Sequence, residues 1–193
     1  MRMVKRIIIS LFLMQSLGIA AQEMTIREAF KHMPDTIVPY LTENNRLDFV
    51  DFIDSNMEAE VTNSLGGKSK MLVMSGQYAS ILLNDAASLE MCLLPVAEPV
   101  DSASYIICLV RTYGTEIRES TVDFYSLQWR QLDRAAYLKW PDSDTFEARL
   151  DEQASSLTLQ PVSYADAPAS EEQKKLSKPS IILKWKDAFV NED

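Results

Sequence analysis

Two neighbouring stretches that are apolar on both sides constrain the fold of this chain more than any other feature. In Leu89–Leu94 and Tyr105–Arg111, alternate residues point to opposite sides of a strand, and both sets are mostly apolar. A strand that is apolar on both faces is buried on both faces. The sequence therefore predicts that these two strands lie at the centre of the domain, with helices or a second layer on each side.

The same two strands carry the only cysteines, Cys92 and Cys108. Both are equidistant from Val100, so a hairpin that is symmetric about this residue places the two thiols opposite each other on one face. Opposed Cβ atoms lie about 4.5–5.5 Å apart in a sheet, whereas a disulfide needs about 3.5–4.5 Å. We predict cross-strand neighbours, with a disulfide and two adjacent thiols that act as small apolar residues as the alternatives.

The sequence predicts that residues 61–127 form successive strands separated by short turns. Short turns favour antiparallel pairing. Besides the central pair, the predicted strands are Lys70–Ser75, Tyr78–Leu83 and Ser120–Leu127. We predict an α+β fold in which one antiparallel sheet of about five to seven strands packs against N-terminal helices.

Two helices are predicted within residues 22–60. The first begins with the capping-box spacing of Thr25 and Glu28. The second has apolar residues at i, i+3, i+4 and i+8, and we expect Asn44 or Asn45 to cap it. The apolar side of this second helix consists of Phe49, Phe52, Ile53 and Met57.

Residues 128–193 are predicted to mix helix and strand. The spacing of Asp144 and Glu147 predicts the start of a short helix that carries Phe146 and Leu150 on one side. Residues 156–164 alternate as a strand until Pro161. Residues 181–185 alternate apolar side chains with lysine, which is typical of a terminal edge strand. Residues 165–178 are polar and are predicted to form an exposed connection.

Residues 1–21 have the pattern of a cleavable signal peptide. The basic segment Arg2–Arg6 precedes an uncharged, mainly apolar run that ends at Ala21. The run is short for a membrane span, which needs about 20 apolar residues. We expect export to the periplasm or the extracellular space and no stable membrane insertion after cleavage. Residues 22–193 suit a single domain.

Net charge limits the choice of partner. The chain has 19 basic and 28 acidic residues, and the predicted signal peptide holds three of the basic ones and none of the acidic ones. The mature chain therefore carries a net charge of −12. Nucleic-acid phosphates require a basic surface, so we expect no nucleic-acid partner and leave open a protein or a small molecule.

Several patterns that resemble functional sites are better explained structurally. Gly66–Ser69 resembles the end of a phosphate-binding loop, but Thr62 stands where the motif needs glycine, so we predict a hairpin turn. His32 is the only histidine, and no neighbour in sequence could orient it as a base. Asp142–Asp144 resembles the start of a calcium loop, but Phe146 occupies the next ligand position, so a turn and helix cap is the better reading.

Two further clusters have a functional and a structural interpretation. An acidic ladder along the second helix could hold calcium, but one exposed helix face converges poorly on an ion, so we interpret it as solvated. An aromatic cluster could bind sugar, but aromatic residues in a half-buried sheet more often pack in the core. We predict no catalytic residue, metal ligand or cofactor. The ladder consists of Asp48, Asp51, Asp54 and Glu58, and the aromatic cluster of Tyr125, Trp129, Tyr137 and Trp140.

Several short motifs recur in an order that is typical of a known family. They are Leu41–Leu47 with Asp51, Leu65-Gly66, Leu93–Pro95, Ile106–Val110, Ser120–Tyr125, Trp129–Leu132 and Leu183–Trp185. In these motifs the chain resembles a family of exported proteins of Gram-negative, gut-type bacteria that is designated domain of unknown function 3256. The likeness spans nearly the whole mature chain and its motifs are structural, so it implies export and a single domain but no activity or cofactor.

Three functions remain open from the sequence. The first is a non-catalytic binding or assembly protein of the bacterial cell envelope, which an exposed apolar surface would favour. The second is a hydrolase of envelope or dietary polymers that uses two carboxyl groups about 5–10 Å apart. The third is a carrier of a small apolar ligand, which a deep apolar pocket would favour.

Overall fold

The computed structural model describes residues 24–140, 145–152, 156–162 and 179–191. Two helices come first, followed by six strands that form one antiparallel sheet in the order of the sequence. Their bounds are α1 Ile26–Lys31, α2 Glu43–Asp54, β1 Glu60–Thr62, β2 Lys68–Met74, β3 Tyr78–Asn84, β4 Ala87–Val100, β5 Ala103–Tyr113 and β6 Glu119–Tyr125.

A second antiparallel sheet follows a short helix and has the order β10-β9-β8-β7. Strand β7 contacts β4, β5 and β6, so the second sheet covers the later strands of the first. The bounds of these elements are α3 Arg134–Tyr137, β7 Phe146–Leu150, β8 Ser156–Pro161, β9 Ile181–Trp185 and β10 Phe189–Asn191. The α+β fold, with a six-stranded antiparallel sheet against N-terminal helices, is confirmed.

One face of the six-stranded sheet packs against the helices. Phe30 of α1 and Phe49 of α2 are fully buried there, with their ring centroids 6.3 Å apart. The indole N–H of Trp129, which follows β6, donates to the carbonyl of Ala29 at 3.0 Å and ties α1 to the far end of the sheet. Sheet residues on this face include Met71, Ile81, Leu89, Met91, Ile107 and Leu109.

The opposite face packs against the second sheet. Leu94, Ile106 and Val110 of the first sheet belong to one buried cluster with Phe146 and Leu159 of the second. Strands β4 and β5 therefore have a buried layer on each side, as their two apolar faces predict.

Two helix assignments need correction. The N-cap of α2 is Thr42, not Asn44 or Asn45. The Thr42 hydroxyl oxygen accepts from the Asn45 N–H, and the side-chain oxygen of Asn45 accepts from the Thr42 N–H. The prediction that Met57 lies on the apolar side of α2 is wrong. The helix ends at Asp54, and Met57 beyond it is 59% exposed.

Two assignments near the C-terminus are wrong as well. Phe146–Leu150 is strand β7, not a helix, and its buried residues alternate with a period of two. Strand β9 is present but is not the edge of the second sheet. The chain turns at Asp187, and Phe189–Asn191 (β10) pairs with β9 on its outer side. The predicted strand from Ser156 does end at Pro161.

The stretch that resembles a phosphate-binding loop is the β1–β2 hairpin turn, as predicted. Asn63 organises the turn: its side-chain oxygen accepts from the N–H groups of Leu65 and Gly67, and its amide donates to Ser69 and to the Leu83 carbonyl. Gly66 has a φ of +82°, which glycine adopts without strain.

Candidate functional site

A bulge in strand β2 exposes two adjacent apolar residues on the surface of the sheet. Met71 pairs with Ile81 and Val73 with Ser80, so Leu72 is an extra residue on the β2 side. Because the bulge shifts the alternation, Met71 and Met74 face the helices while Leu72 and Val73 both face the other way. Their exposed fractions are 55% and 36%.

These two residues form one wall of an open groove of about 580 Å³ beside the second sheet. Strand β7 does not reach over β2, so the face of the outer strands stays open next to its end. We call this surface the β2 groove. It is lined by Leu72, Val73, Tyr78, Ser80, Leu150, Asp151 and Glu152.

The wall of the β2 groove opposite the bulge is acidic. Asp151 and Glu152 follow β7 directly and are exposed, because the strand ends at Leu150. The groove thus combines an apolar side from β2 and β3 with a carboxylate side from the second sheet.

Glu90 lies between the two sheets close to this groove and joins them. Its carboxylate accepts from the N–H of Leu150 at 2.7 Å, and the Ser120 hydroxyl accepts from the N–H of Ala148 at 2.8 Å. These two side chains satisfy N–H groups on the β7 edge that no strand pairs with in the described part of the chain. Burial raises the pKa of Glu90, against the lowering effect of the Leu150 N–H.

Tyr78 stands at the base of the β2 groove and is largely buried. Burial, followed by the charge of Glu90, raises the pKa of Tyr78 to about 12. The phenol therefore stays neutral at physiological pH and acts as an apolar surface with a hydroxyl group.

A second, smaller depression lies on the other side of β2 and has a volume of about 430 Å³. Leu72 lines both depressions and so stands on the ridge between them. On this second side Met57 is exposed, and the Glu58 carboxylate pairs with the Lys70 ammonium.

Cys92 and Cys108 are register partners and both thiols are buried, which is the arrangement that the hairpin symmetry predicts. The Leu93 N–H donates to Gln77 on the β3 side, so the Cys92 N–H points toward β5 and the cysteines form a hydrogen-bonded pair. Such pairs have Cα atoms about 5.5 Å apart and the wider Cβ separation, which strains a disulfide. Burial and the neighbouring Cys92 raise the pKa of the Cys108 thiol.

His32 is exposed at the C-terminal end of α1, and its ring nitrogen lies 3.9 Å from the Glu28 carboxylate. The acidic ladder also lies on the surface: Asp54 pairs with Arg27 and Glu58 with Lys70. Among the described residues, no three His, Cys, Asp or Glu side chains are grouped so that they could hold a metal ion.

The aromatic cluster is divided between the two cores. Tyr125 and Trp129 pack together on the helix side with centroids 5.4 Å apart. Tyr137 stacks on Trp185, and Trp140 packs edge-on against Phe146, on the second-sheet side. The sheet separates the pairs, so the four rings form no common platform.

The β2 groove was not predicted from the sequence. Met71–Met74 is a run of four apolar residues, and simple alternation would place Val73 on the same side as Met71. The exposed doublet depends on the bulge, for which the sequence gives no direct signal. The predicted signal peptide, Asp142–Asp144 and residues 165–178 lie outside the described residues. Within the described residues, no helix has the length and apolar character needed to cross a membrane.

Comparison with known proteins identifies a family and a fold. A family model described as protein of unknown function (DUF3256) matches residues 16–187. The solved structure of a domain of an uncharacterized protein from Porphyromonas gingivalis W83 is similar with a TM-score of 0.71 and 19% identity, over 86% of this chain and 97% of that one. At this identity the likeness shows the fold alone. No curated protein matches the chain.

Proposed function

We propose that this chain, which belongs to the DUF3256 family, is a non-catalytic binding protein of the bacterial cell envelope that holds its partner in the β2 groove. The observation that carries the proposal is the exposed apolar doublet of Leu72 and Val73. An apolar surface that a fold turns toward solvent beside a concave groove is typical of an interaction site.

The shape of the β2 groove favours a partner that lies across it. The groove is open to solvent, and one wall consists of side chains from a sheet face that the second sheet leaves uncovered. A surface of this kind suits a segment of a larger molecule better than a small apolar ligand, which binds most strongly where it is enclosed.

The hydrolase hypothesis has weaker support. Glu90 has the raised pKa that an acid catalyst needs, but its carboxylate accepts the Leu150 N–H and it is not among the residues that line the groove. Its position is explained by its contact with the β7 edge.

Site-specific photo-crosslinking in producing cells tests the proposal. A photoreactive amino acid at position 72 should give a discrete adduct in the exported fraction, identified by mass spectrometry. The matched control places the same amino acid at Ile182, which is 54% exposed on β9 of the second sheet and does not line the β2 groove. Loss of the adduct at position 72, or the same adduct from position 182, would overturn the proposed function.

A further inference from the structure

Strand β2 has a covered and an uncovered stretch along its outer side. Strand β1 pairs with Lys68–Lys70, and the Ala59 carbonyl accepts from the Met71 N–H. Beyond Met71, no strand of the described residues pairs with this side of β2. Farther along, the Gly76 carbonyl accepts from the Ile26 N–H at 3.1 Å. The uncovered stretch of the outer side therefore lies between Met71 and Gly76, next to Leu72 and Val73.

The backbone of Met74 points into this opening. The Ser75 N–H donates to the Tyr78 carbonyl on β3 at 2.8 Å. Because the N–H and C=O groups of successive residues point to opposite sides of a strand, those of Met74 point away from β3. They are available to a strand that approaches from outside.

Charge marks the boundary between the two stretches. Lys68 and Lys70 form ion pairs with Glu60 and Glu58 along the covered part. Lysines on an edge discourage further strand pairing, and a bulge limits its length. The stretch of β2 after the bulge carries apolar residues, whereas the stretch before it carries lysines. An added strand could therefore pair with β2 over only a few residues after the bulge.

We propose that a short extended segment of a partner protein pairs with the outer side of β2 at Met74 and points side chains into the β2 groove past Leu72 and Val73. One side chain of the segment is apolar and packs on Leu72 and Val73, and a basic one lies beside Glu152. The proposal rests on the proposed function and names the partner's chemistry. A second copy of this chain fits less well, because the full chain carries a net charge of −9 and two acidic copies repel each other.

The probe, called the lysine–valine peptide, is a fluorescein-labelled decapeptide with blocked termini that has serine at every second position. Valine alternates with lysine at the other positions, which puts both kinds of side chain on the same side of an extended strand. Binding to the full chain is measured by fluorescence anisotropy. Leu72→Ser removes an apolar side chain that the bound segment would cover, so it should weaken binding about tenfold or more. A copy of the peptide that is N-methylated at alternate amides should not bind, because it cannot complete the strand pairing.

A charge reversal tests the position of the basic side chain. Glu152→Lys should weaken binding of the lysine–valine peptide and strengthen binding of a glutamate–valine peptide. Glu116→Lys makes the same change of net charge on an exposed residue of the β5–β6 connection, and it should alter both affinities less than twofold. Equal effects of the two substitutions would show attraction to net charge alone and would overturn the proposal.

Two other results would also overturn this inference: no binding of the lysine–valine peptide by the unaltered chain, or equal binding of its N-methylated copy. Its failure is distinguishable from failure of the proposed function. A crosslink at position 72 without peptide binding would refute only the proposal that the partner pairs with β2 as a strand. Absence of the crosslink would refute the proposed binding function itself.

Discussion

The two faces of the six-stranded sheet are covered in different ways. On one face, α1 and α2 pack across strands from β2 to β5, and the side chains of the outer strands, such as Met71 and Ile81, are buried. On the other face, the second sheet reaches β4, β5 and β6 but not β2. The same strand β2 is thus closed on one side and open on the other.

This difference separates stability from recognition. Residues on the helix face have lost their solvent exposure and contribute mainly to folding. Leu72 and Val73 contribute little to either core because they remain exposed, and exposed apolar residues at a groove are available for binding. Substitutions on the two faces should therefore have effects of very different size and kind.

The largest effect is expected on the helix face. Phe49→Asp should unfold the protein or lower its free energy of unfolding by more than about 4 kcal/mol, because it empties a fully buried site and buries a charge. Chemical denaturation followed by circular dichroism measures this. Asp51→Ala, on the exposed side of α2, should change stability by less than about 0.5 kcal/mol. Similar losses from both would contradict the packing of α2.

The second-sheet face should be nearly as sensitive where it is covered. Phe146→Ala should lower the free energy of unfolding by about 3–5 kcal/mol, because its ring is fully buried against both sheets. The exposed neighbour Arg149 provides the control, and Arg149→Ala should cost less than about 1 kcal/mol. A small effect at Phe146 would indicate that the second sheet docks only loosely.

A smaller effect, dependent on pH, is expected at the junction of the sheets. Glu90→Ala should cost about 1–3 kcal/mol, because the Leu150 N–H loses its acceptor, whereas Glu90→Gln keeps one. The raised pKa of Glu90 means that its stabilising contribution is present at low pH and is lost as the pH rises through the folded-state pKa.

Glu90→Gln should therefore gain stability relative to the unaltered protein as the pH is raised from about 4 to 7. Urea denaturation at both pH values measures the difference. A loss of stability of Glu90→Gln relative to the unaltered protein over this pH range would mean that the pKa of Glu90 is lowered instead.

The redox state of the two cysteines should have little effect on the stability of the fold. A disulfide that closes this loop would stabilise the fold by about 3 kcal/mol, but the hydrogen-bonded register strains such a bond. We expect two free thiols on titration of unfolded, exported protein, and a change of less than about 0.5 kcal/mol on adding reductant. Absence of titratable thiols would show that the pair is bridged despite its register.

The smallest effect on stability is expected in the open groove. Leu72→Ser should change the free energy of unfolding by less than about 0.5 kcal/mol while it weakens partner binding. Thermal melting and the anisotropy assay measure the two quantities on the same sample. A large loss of stability would mean that Leu72 is buried by other parts of the protein.

Part of the fold could be predicted from the sequence because it depends on local patterns of residues. The two-sided apolar strands β4 and β5, the pairing of Cys92 with Cys108 and the hairpin turn at Gly66 all follow from alternation, symmetry and turn chemistry. The N-terminal helices were likewise recognised from their apolar period, although the cap of α2 lies two residues earlier than Asn44.

The prediction of a helix at strand β7 is wrong because the spacing of its apolar residues fits both the period of a helix and that of a strand. Phe146 and Leu150 are four residues apart, which places them on one side of a helix and also on one side of a strand. Ala148 between them is buried as well, and this is the residue that distinguishes the two. Pairing with β8, which lies farther along the chain, selects the strand.

The sequence by itself determined the α+β class, the central strand pair and the acidic charge, because each depends on residue type and on the spacing of near neighbours. The tertiary structure alone decided which part of the sheet stays open. The bulge at Leu72, the reach of β7 and the acidic wall at Glu152 come from segments about 80 residues apart, and no local pattern records where two such segments meet.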